Sequence, residues 1–405
     1  MKKKETEFNY SEFEKEAITK LRSGKGFTGE GGALTGLISR IVKAAYEEEI
    51  SEHLSAKDVP ANRKNGYTTK QVKTGLGTID VSPPRDRNGT FEPVVIKKWE
   101  RSIAPELESQ ILALYAIGNS YTDIRNHFNR MYGIDYSEAF LSGITDKVHS
   151  EILAWKNRAL ESIYSVIYLD AIHYKVREDG KVKTKAVYSV LGVDKEGNRD
   201  VLGLYIGESE GAHYWARVLE NIRDRGVEDV LFFCVDGLNG FSKAIESVFP
   251  RSIVQRCIVH MIRTSLKFVN WKDYKKVCQG LRKIYTQDSA AAALEELDSF
   301  DKVWGVKYPE IKNKWKKSWM ELSPFFDYSQ PVRRMIYTTN AVEALHRCLR
   351  KTTKTKGAFT NAQALEKQLY LTLQYNTKSW KRKVRGWNSI AQTLSREFSE
   401  RWGED

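Results

Sequence analysis

Two short runs of β-branched and aromatic residues, each followed by an aspartate, place the strongest constraint on the fold. Residues 166–169 read Val-Ile-Tyr-Leu and precede Asp170, while residues 230–235 read Val-Leu-Phe-Phe-Cys-Val and precede Asp236. Apolar runs of this length and composition are typical of buried strands. A carboxylate that ends such a strand lies at a sheet edge, where α/β proteins form active sites. We therefore predict an α/β protein with Asp170 and Asp236 at the ends of two buried strands.

The pattern around these two runs predicts a mixed sheet flanked by helices. Turn residues at 178–180 and 194–198 separate three consecutive strands, after which strands alternate with helices. The predicted strands are 164–170, 185–193, 200–206, the strand ending at Asp236 and a short strand near 253–254, with helices at 211–225 and 239–248. A helical stretch from 260 to about 330 follows. Its four tryptophans are most simply core residues, with a stacking platform for an unpaired base as the alternative: Trp271, Trp304, Trp315 and Trp319.

The N-terminal third is predicted to combine helices with a small β segment. Residues 1–58 are predicted to be helical, and a β-like stretch at 66–81 ends in proline and glycine turn residues. Residues 105–150 contain three predicted helices and fit a helix-turn-helix arrangement. The N-caps are Ser120 with Asp123, and Ser137, and the last helix would present Ser137, Ser142, Thr145 and Lys147 to a DNA groove. A small helical bundle that only packs is the alternative interpretation.

A third carboxylate, Glu343, starts a helical stretch just after Asn340, a predicted N-cap. Arg347 and Arg350 follow at four and seven residues, so one helical face carries an acid and two bases. The alternative interpretation is an ordinary solvent-exposed helical face with salt bridges, which would show the same pattern of one acid and two bases. However, eleven Lys or Arg residues occur from Arg347 to Arg385 against one acid, Glu366. Bases interspersed with aromatic residues suit contacts to phosphates and bases.

The three carboxylates predict a divalent-metal site that acts on a phosphate substrate. Mg²⁺ is a hard cation that prefers oxygen ligands, and carboxylates without cationic partners repel one another unless a cation holds them together. The chain has 405 residues and a formal net charge of +13, which favours a polyanionic partner. These features together indicate a two-metal phosphoryl-transfer site that faces DNA.

Three other patterns carry less chemistry. Gly24-Lys25-Gly26-Phe27-Thr28-Gly29 matches a nucleotide-binding glycine motif, but a helical stretch precedes it, so a linker or helix break is the better interpretation. Cys257 and His260 supply half a zinc site, and a packing pair has at least equal weight. No run approaches eighteen apolar residues and no secretory signal is visible, so we expect a cytoplasmic, nucleoid-associated protein. The four cysteines lack a disulfide framework pattern, so a reducing compartment is expected.

An ordered set of motifs resembles the mutator-type family of bacterial insertion-sequence transposases. The central match is Val235-Asp236-Gly237-Leu238-Asn239-Gly240-Phe241, then Phe249-Pro250, then Gln255 to Arg263 around Cys257 and His260. The other matches are Arg63-Lys64-Asn65-Gly66, Pro84-Arg85-Asp86-Arg87, Phe91-Glu92-Pro93, Tyr168-Leu169-Asp170-Ala171 and Thr339-Asn340-Ala341-Val342-Glu343. They follow the family's order over residues 60 to 350. One departure is Thr264, where the family usually has asparagine after the arginine.

The resemblance implies a DDE transposase with a ribonuclease-H-like core, an all-helical insertion and N-terminal helical DNA-binding domains. It implies the catalytic and metal-binding residues Asp170, Asp236 and Glu343, with Cys257 and His260 in support and two Mg²⁺ per site, or Mn²⁺. The expected DNA-binding residues are Arg63, Arg85, Arg87, Lys147, Arg347, Arg350, Lys351, Lys354 and Lys356. The expected domains are 1–58, 59–104, 105–150, 160–260, 261–335 and 336–405.

The implied activity is binding of terminal inverted repeats, strand cleavage and strand transfer into target DNA, with a homodimer expected because two ends must be brought together. No membrane partner is expected. Two alternatives remain: a structure-selective nuclease with the same core, and a catalytically silent DNA-binding regulator derived from a transposase. A glycoside hydrolase with paired carboxylates is disfavoured by the basic charge.

Overall fold

The computed structural model describes residues 9–27, 31–55, 62–74, 77–99, 102–103, 105–207, 212–237, 240–337 and 340–402. The chain divides into two compact units, residues 1–148 and 149–405. Within the described ranges, no helix is both long and apolar enough to cross a membrane.

The N-terminal unit contains five helices and five short strands among its described residues. The helices are α1 (Tyr10–Arg22), α2 (Thr35–Ser55), α3 (Pro105–Ala116), α4 (Tyr121–Tyr132) and α5 (Glu138–Asp146). The strands are β1 (Lys64–Tyr67), β2 (Lys70–Thr74), β3 (Gly77–Val81), β4 (Pro84–Asp86) and β5 (Ser102–Ile103). Strand β1 pairs with β4, and the other three form a sheet in the order β3-β2-β5. Helix α2 packs Val42 and Tyr46 against Val72, Ile79 and Val81 of that sheet, since these side chains share one apolar cluster.

The predicted N-caps in this unit are confirmed. Ser120 and Asp123 form a reciprocal capping box at α4, and the Ser137 hydroxyl accepts the Phe140 backbone N–H. The last of the three helices predicted within residues 105–150 is α5, which ends at Asp146 with Lys147 as its C-cap. Helix α6 (His149–Asn157) begins the C-terminal unit.

The C-terminal unit is built on a mixed five-stranded sheet, which confirms the predicted α/β class. Its strands are β6 (Ile163–Glu178), β7 (Lys181–Val193), β8 (Arg199–Gly207), β9 (Asp229–Val235) and β10 (Ile253–Arg256). Their order is β10-β9-β6-β7-β8: β6, β7 and β8 are antiparallel, whereas β9 pairs parallel with β6 and β10 parallel with β9. Asp179 and Gly180 have φ of 52° and 73°, as a two-residue hairpin turn requires, and they join β6 to β7.

Helices cover both faces of this sheet. The elements after the third strand are α7 (Ala212–Asp224), α8 (Phe241–Val248), α9 (Ile258–Leu266), α10 (Trp271–Tyr285), α11 (Ala290–Trp304), α12 (Pro309–Lys317), α13 (Trp319–Leu322), a 3₁₀ helix (Pro324–Asp327), α14 (Gln330–Ile336), α15 (Asn340–Thr353), α16 (Ala362–Tyr375), α17 (Thr377–Trp380), α18 (Trp387–Glu397) and α19 (Ser399–Trp402). Side chains alternate along β6, so Ile167 and Leu169 pack with α7 and α8, whereas Val166 and Tyr168 pack with the later helices.

Two predictions about this unit need correction. Asp170 does not end its strand, because β6 continues to Glu178 through pairing with β7. From Ile172 to Arg177 the residues alternate between buried and exposed. This period-two alternation is typical of a strand and would have predicted that β6 continues beyond Asp170. Among the tryptophans of the helical stretch, Trp315 is buried but Trp271 is 80% exposed, so the core assignment is wrong for Trp271.

The turn between β7 and β8 is held by α18, and we expect Gly197→Ala to destabilise the protein by about 3 kcal/mol or more. Gly197 has a φ of +81°, and a Cβ there would lie 2.3 Å from the Trp387 ring. That ring is buried and donates from Nε1 to the Lys195 carbonyl at 2.8 Å. Urea unfolding of the full chain measures the loss.

Gly180→Ala is the matched control for this prediction. Gly180 has a φ of +73° but nothing within 4 Å of a Cβ, so it isolates the backbone cost of about 1–2 kcal/mol. Equal losses in the two variants would show that packing against Trp387 contributes nothing.

Candidate active site

Strand register brings Asp170 and Asp236 side by side. The last pair between β6 and β9 is Leu169 with Val235, so the two aspartates are the next residues on adjacent parallel strands. Strand β10 is the next strand of the sheet and ends at the same level, where Arg256 pairs with Val235. The next residue, Cys257, donates its backbone N–H to the Val235 carbonyl at 2.8 Å. Three adjacent strands therefore place Asp170, Asp236 and Cys257 in one row.

Helix α15 crosses the same face of the sheet and brings Glu343 to this row. Its apolar residues Val342, Leu345 and Leu349 are fully buried and hold it against the sheet. Asn340 is the first residue of α15. The two residues before it, 338–339, lie outside the described ranges, so the N-cap role of Asn340 stays a prediction. His346, one turn after Glu343, is buried, with Nδ1 3.5 Å from Asp170 Oδ2 and Nε2 3.0 Å from Ser189 Oγ.

The electrostatic environment of Asp170 places Asp236 and Glu343 within electrostatic range of its carboxyl group. Burial, and next the negative charge of Asp236, raise the pKa of Asp170 to about 7. The Ala171 backbone N–H opposes this shift, while the charge of Glu343 adds to it and that of Arg350 opposes it. A carboxyl with a pKa raised by burial and by like charges marks a candidate functional site.

Two further basic side chains lie beside the acids. Arg263 of α9 lies 2.6 Å from Glu343 Oε1 and neutralises part of the acidic charge. Burial lowers the pKa of His346 to about 3, and the charge of Arg350 acts in the same direction. The imidazole of His346 is therefore neutral.

Cys257 and His260 have a local structural contact. The Cys257 thiol caps α9 by accepting the His260 backbone N–H at 3.5 Å. Burial and then the Arg263 charge lower the pKa of His260, whereas Glu343 raises it, so its ring lies within electrostatic range of the acids. The buried His260 Nδ1 has no hydrogen-bond partner among the described residues. The pair thus supports the start of α9 next to the candidate site.

The donor set fits a hard divalent cation in its chemistry. Asp170, Asp236 and Glu343 supply only oxygen ligands. Burial raises the pKa of Asp170 most, and a cation would relieve the like-charge repulsion that adds to this rise. Across the described parts of the chain, no group of three or more His, Cys, Asp or Glu side chains is arranged closely enough to hold a metal ion. The ion pair between Arg263 and Glu343 engages the third carboxylate in this conformation.

Four of the predicted DNA-binding bases line one open groove next to the site. Its volume is about 470 Å³. The basic lining residues are Arg347, Arg350, Lys351 and Lys354. Lys356 lies differently, because its amine donates to Gln368 Oε1 at 2.5 Å. Ala344, the residue directly after Glu343, also lines this groove.

The β1–β4 region, which carries three of the predicted DNA-binding bases, contains a buried carboxylate, Asp86. Asp86 accepts hydrogen bonds from Asn62 Nδ2 at 2.6 Å, from the Thr90 hydroxyl at 2.8 Å and from the backbone of Thr90 and Phe91. These bonds hold its pKa well below the usual range although burial raises it. Arg63, Arg85 and Arg87 are exposed.

The predicted groove-reading helix is corrected in part. Thr145 is fully buried and its hydroxyl bonds to that of Tyr121 at 2.7 Å, so it faces the unit's interior. The Lys147 amine is paired with the Glu108 carboxylate at 2.7 Å. The sequence analysis placed the polar residues of this helix on its exposed face. A threonine can instead be buried when its hydroxyl has a hydrogen-bond partner in the interior, as Thr145 has in Tyr121.

Comparison with known proteins decides the family. The model of the family described as Transposase, Mutator family matches residues 11–383. The chain belongs to the Mutator family of transposases. It is 40% identical over 396 residues, 96% of this chain and 99% of the relative, to the transposase for insertion sequence element ISRM3 of Rhizobium meliloti (strain 1021). It is 30% identical to the transposase for insertion sequence element IS905 of Lactococcus lactis, covering 83% of this chain and 86% of the relative.

A third relative is the transposase for insertion sequence element IS256 in transposon Tn4001 of Staphylococcus aureus, 26% identical over 64% of this chain and 69% of the relative. The family resemblance inferred from the motifs is thereby confirmed. The match to a family of transposases supports DNA as the partner of this Mutator-family chain.

Sequence reasoning missed three residues of the candidate site: His346, Ser189 and Arg263. His346 lies three residues after Glu343 on the same helical face, and this spacing was the available signal. Ser189 carried no signal, because only the pairing of β6 with β7 places it opposite Asp170.

Proposed function

We propose that this transposase binds the terminal inverted repeats of its insertion sequence and catalyses metal-dependent strand cleavage and strand transfer into target DNA. The observation that carries the proposal is the convergence of Asp170, Asp236 and Glu343 from two strands and a helix. We propose a ribonuclease-H-like core for residues 160–260 and 336–405, because a mixed sheet carries the first two acids and helices separate them from the third.

Asp170, Asp236 and Glu343 would hold Mg²⁺, or Mn²⁺, with two ions per site. Such ions lower the pKa of an attacking water or 3′-hydroxyl and stabilise the leaving oxygen. The protein's own part is to hold the carboxylates rigidly on the sheet and α15. The groove lined by Arg347, Arg350, Lys351 and Lys354 would orient the DNA backbone beside them. Because phosphate contacts carry no sequence information, the proposed repeat recognition belongs to the domains at 59–104 and 105–150.

The first experiment is strand cleavage of a labelled duplex that carries the terminal repeat of the flanking element. We expect nicking at the repeat end with Mg²⁺ or Mn²⁺ and none with EDTA. Binding without cleavage in either metal would instead support a DNA-binding regulator. Cleavage of branched duplexes without preference for the repeat would support a structure-selective nuclease.

A dimer is proposed because strand transfer requires two transposon ends to be held together. Sedimentation of the protein with and without repeat DNA tests this. Two protein chains per pair of repeats are expected, and a complex with one chain would contradict the proposal.

The basic groove predicts a specific salt dependence. Replacing Arg347 or Lys354 with glutamine should weaken DNA binding and reduce the slope of log K against log salt by about 0.9 for each phosphate that the variant no longer neutralises. Fluorescence anisotropy at several salt concentrations measures the slope. Arg396→Gln is the matched control, since Arg396 is exposed on α18 outside the groove. A slope equal to that of the wild type in both groove variants would remove the groove from the DNA path.

A further inference from the structure

The buried imidazole of His346 has two contacts that the proposed chemistry does not explain. The side chain is 4% exposed and lies between Asp170 Oδ2, at 3.5 Å from Nδ1, and Ser189 Oγ, at 3.0 Å from Nε2. Asp170 and Ser189 are direct partners in the ladder between β6 and β7. The ring therefore lies over a cross-strand pair, on the face of the sheet that α15 covers.

The Ser189 hydroxyl determines which nitrogen of His346 carries the proton. It is completely buried, and His346 Nε2 is the only side-chain hydrogen-bond partner that the described residues offer it. A buried hydroxyl must donate its proton, so Nε2 is the acceptor and Nδ1 carries the hydrogen. The opposite tautomer would leave the hydroxyl proton without an acceptor. It would also turn the Nδ1 lone pair toward the Asp170 carboxylate.

We propose that His346 is a positioning residue: its Nδ1–H faces the Asp170 carboxylate at 3.5 Å and orients it, while the Ser189 hydroxyl fixes the tautomer that this contact needs. Asp170 is buried beside two other acids, and a neutral donor supports its charge without adding a competing cation. Partners of this kind orient the carboxylates that hold a metal, and their loss costs about 10- to 100-fold in affinity or activity. The effect on cleavage rests on the proposed function, whereas the tautomer and the contact do not.

The tautomer can be measured without metal or DNA. In protein labelled with ¹⁵N-histidine, long-range proton–nitrogen correlation distinguishes the tautomers, and His346→Asn identifies the signals of His346 among the seven histidines. We expect a protonated Nδ1 and a bare Nε2 at neutral pH. In Ser189→Ala, loss of the donor to Nε2 should shift its nitrogen resonance. A hydrogen on Nε2, or on both nitrogens, would overturn the proposal.

Cleavage by paired variants tests the functional role. Asparagine places an amide N–H at the position of Nδ1, whereas glutamine places one at the position of Nε2. We expect His346→Asn to cleave within a few-fold of wild type, and His346→Gln and His346→Leu to lose about 10- to 100-fold with repeat binding unchanged. Equal activity of the Asn and Gln variants would overturn the role of the Asp170 contact. This comparison holds even if the leucine variant fails to fold.

The two proposals fail in different ways. A wild-type protein with the expected tautomer that cleaves no repeat DNA in either metal contradicts the proposed function and supports the contact. A wild-type protein that cleaves normally but carries the hydrogen on Nε2 contradicts the contact and supports the proposed function.

Discussion

Asp236→Asn is expected to abolish strand cleavage while repeat binding remains at the wild-type level. The loss should exceed about 100-fold, because the change removes a charged oxygen ligand from a site whose geometry determines the rate. Asp236 follows β9 directly, beside Asp170, so an isosteric amide leaves the strand pairing intact. Cleavage of the labelled repeat duplex and anisotropy binding, measured on the same protein preparation, separate the two effects.

The control for this prediction is Asp224→Asn. Asp224 is exposed at the end of α7, so the same chemical change there should leave both cleavage and binding unaltered. Cleavage by Asp236→Asn near the wild-type rate would remove Asp236 from the catalytic set. Loss of binding together with cleavage would indicate a folding defect, which thermal unfolding of the variant detects.

Asp170→Asn is expected to make the metal-free protein more stable above pH 7. The folded-state pKa of about 7 exceeds the ordinary value of 3.8, so the folded protein binds a proton that the unfolded chain has released between these values. Wild-type stability should therefore fall as pH rises from about 4 to 7, because this group opposes folding once it is ionised. The difference in pKa corresponds to roughly 4 kcal/mol, and a gain of about 2–4 kcal/mol at pH 8 is expected for the variant. Near pH 4 the two proteins should be equally stable.

Urea unfolding of the full chain in EDTA, at pH 4, 6 and 8, tests this prediction. Asp229→Asn provides a control of opposite sign. Arg401 binds both oxygens of Asp229 at 2.8 Å, and this pairing lowers the Asp229 pKa although burial raises it. The Asp229 variant should therefore be less stable than wild type at neutral pH, with the difference disappearing as pH falls. A stability difference for Asp170→Asn that does not depend on pH would contradict the electrostatic explanation.

The expected loss of cleavage in Asp236→Asn and the expected gain of stability in Asp170→Asn concern the same carboxylate site. A carboxylate cluster that repels itself in the free protein is held in place by the rest of the fold, and the same repulsion favours binding of a cation. Such a trade-off between stability and activity is a recurrent property of active sites. Loss of cleavage in Asp236→Asn together with a stability gain in Asp170→Asn would be hard to explain by a purely structural role for the acids.

The family, the α/β class and the positions of most strands could be predicted from the amino-acid sequence, because these depend on local patterns. The apolar runs before Asp170 and Asp236 identified two buried strands, and the capping residues Ser120 and Ser137 identified two helix starts. The ordered motifs identified the Mutator family, which the comparisons confirm. The catalytic roles of Asp170, Asp236 and Glu343 remain predictions.

Which side chains meet in the candidate site became known from the three-dimensional fold. The row of Asp170, Asp236 and Cys257 depends on the register of three strands far apart in sequence. The contact of His346 with Asp170 and Ser189 depends on how α15 packs over β6 and β7. Long-range pairing leaves no periodicity in the chain, so sequence patterns predict elements well and their partners poorly. The same reason explains why Thr145 proved to be buried and Trp271 exposed, against the sequence-based expectation.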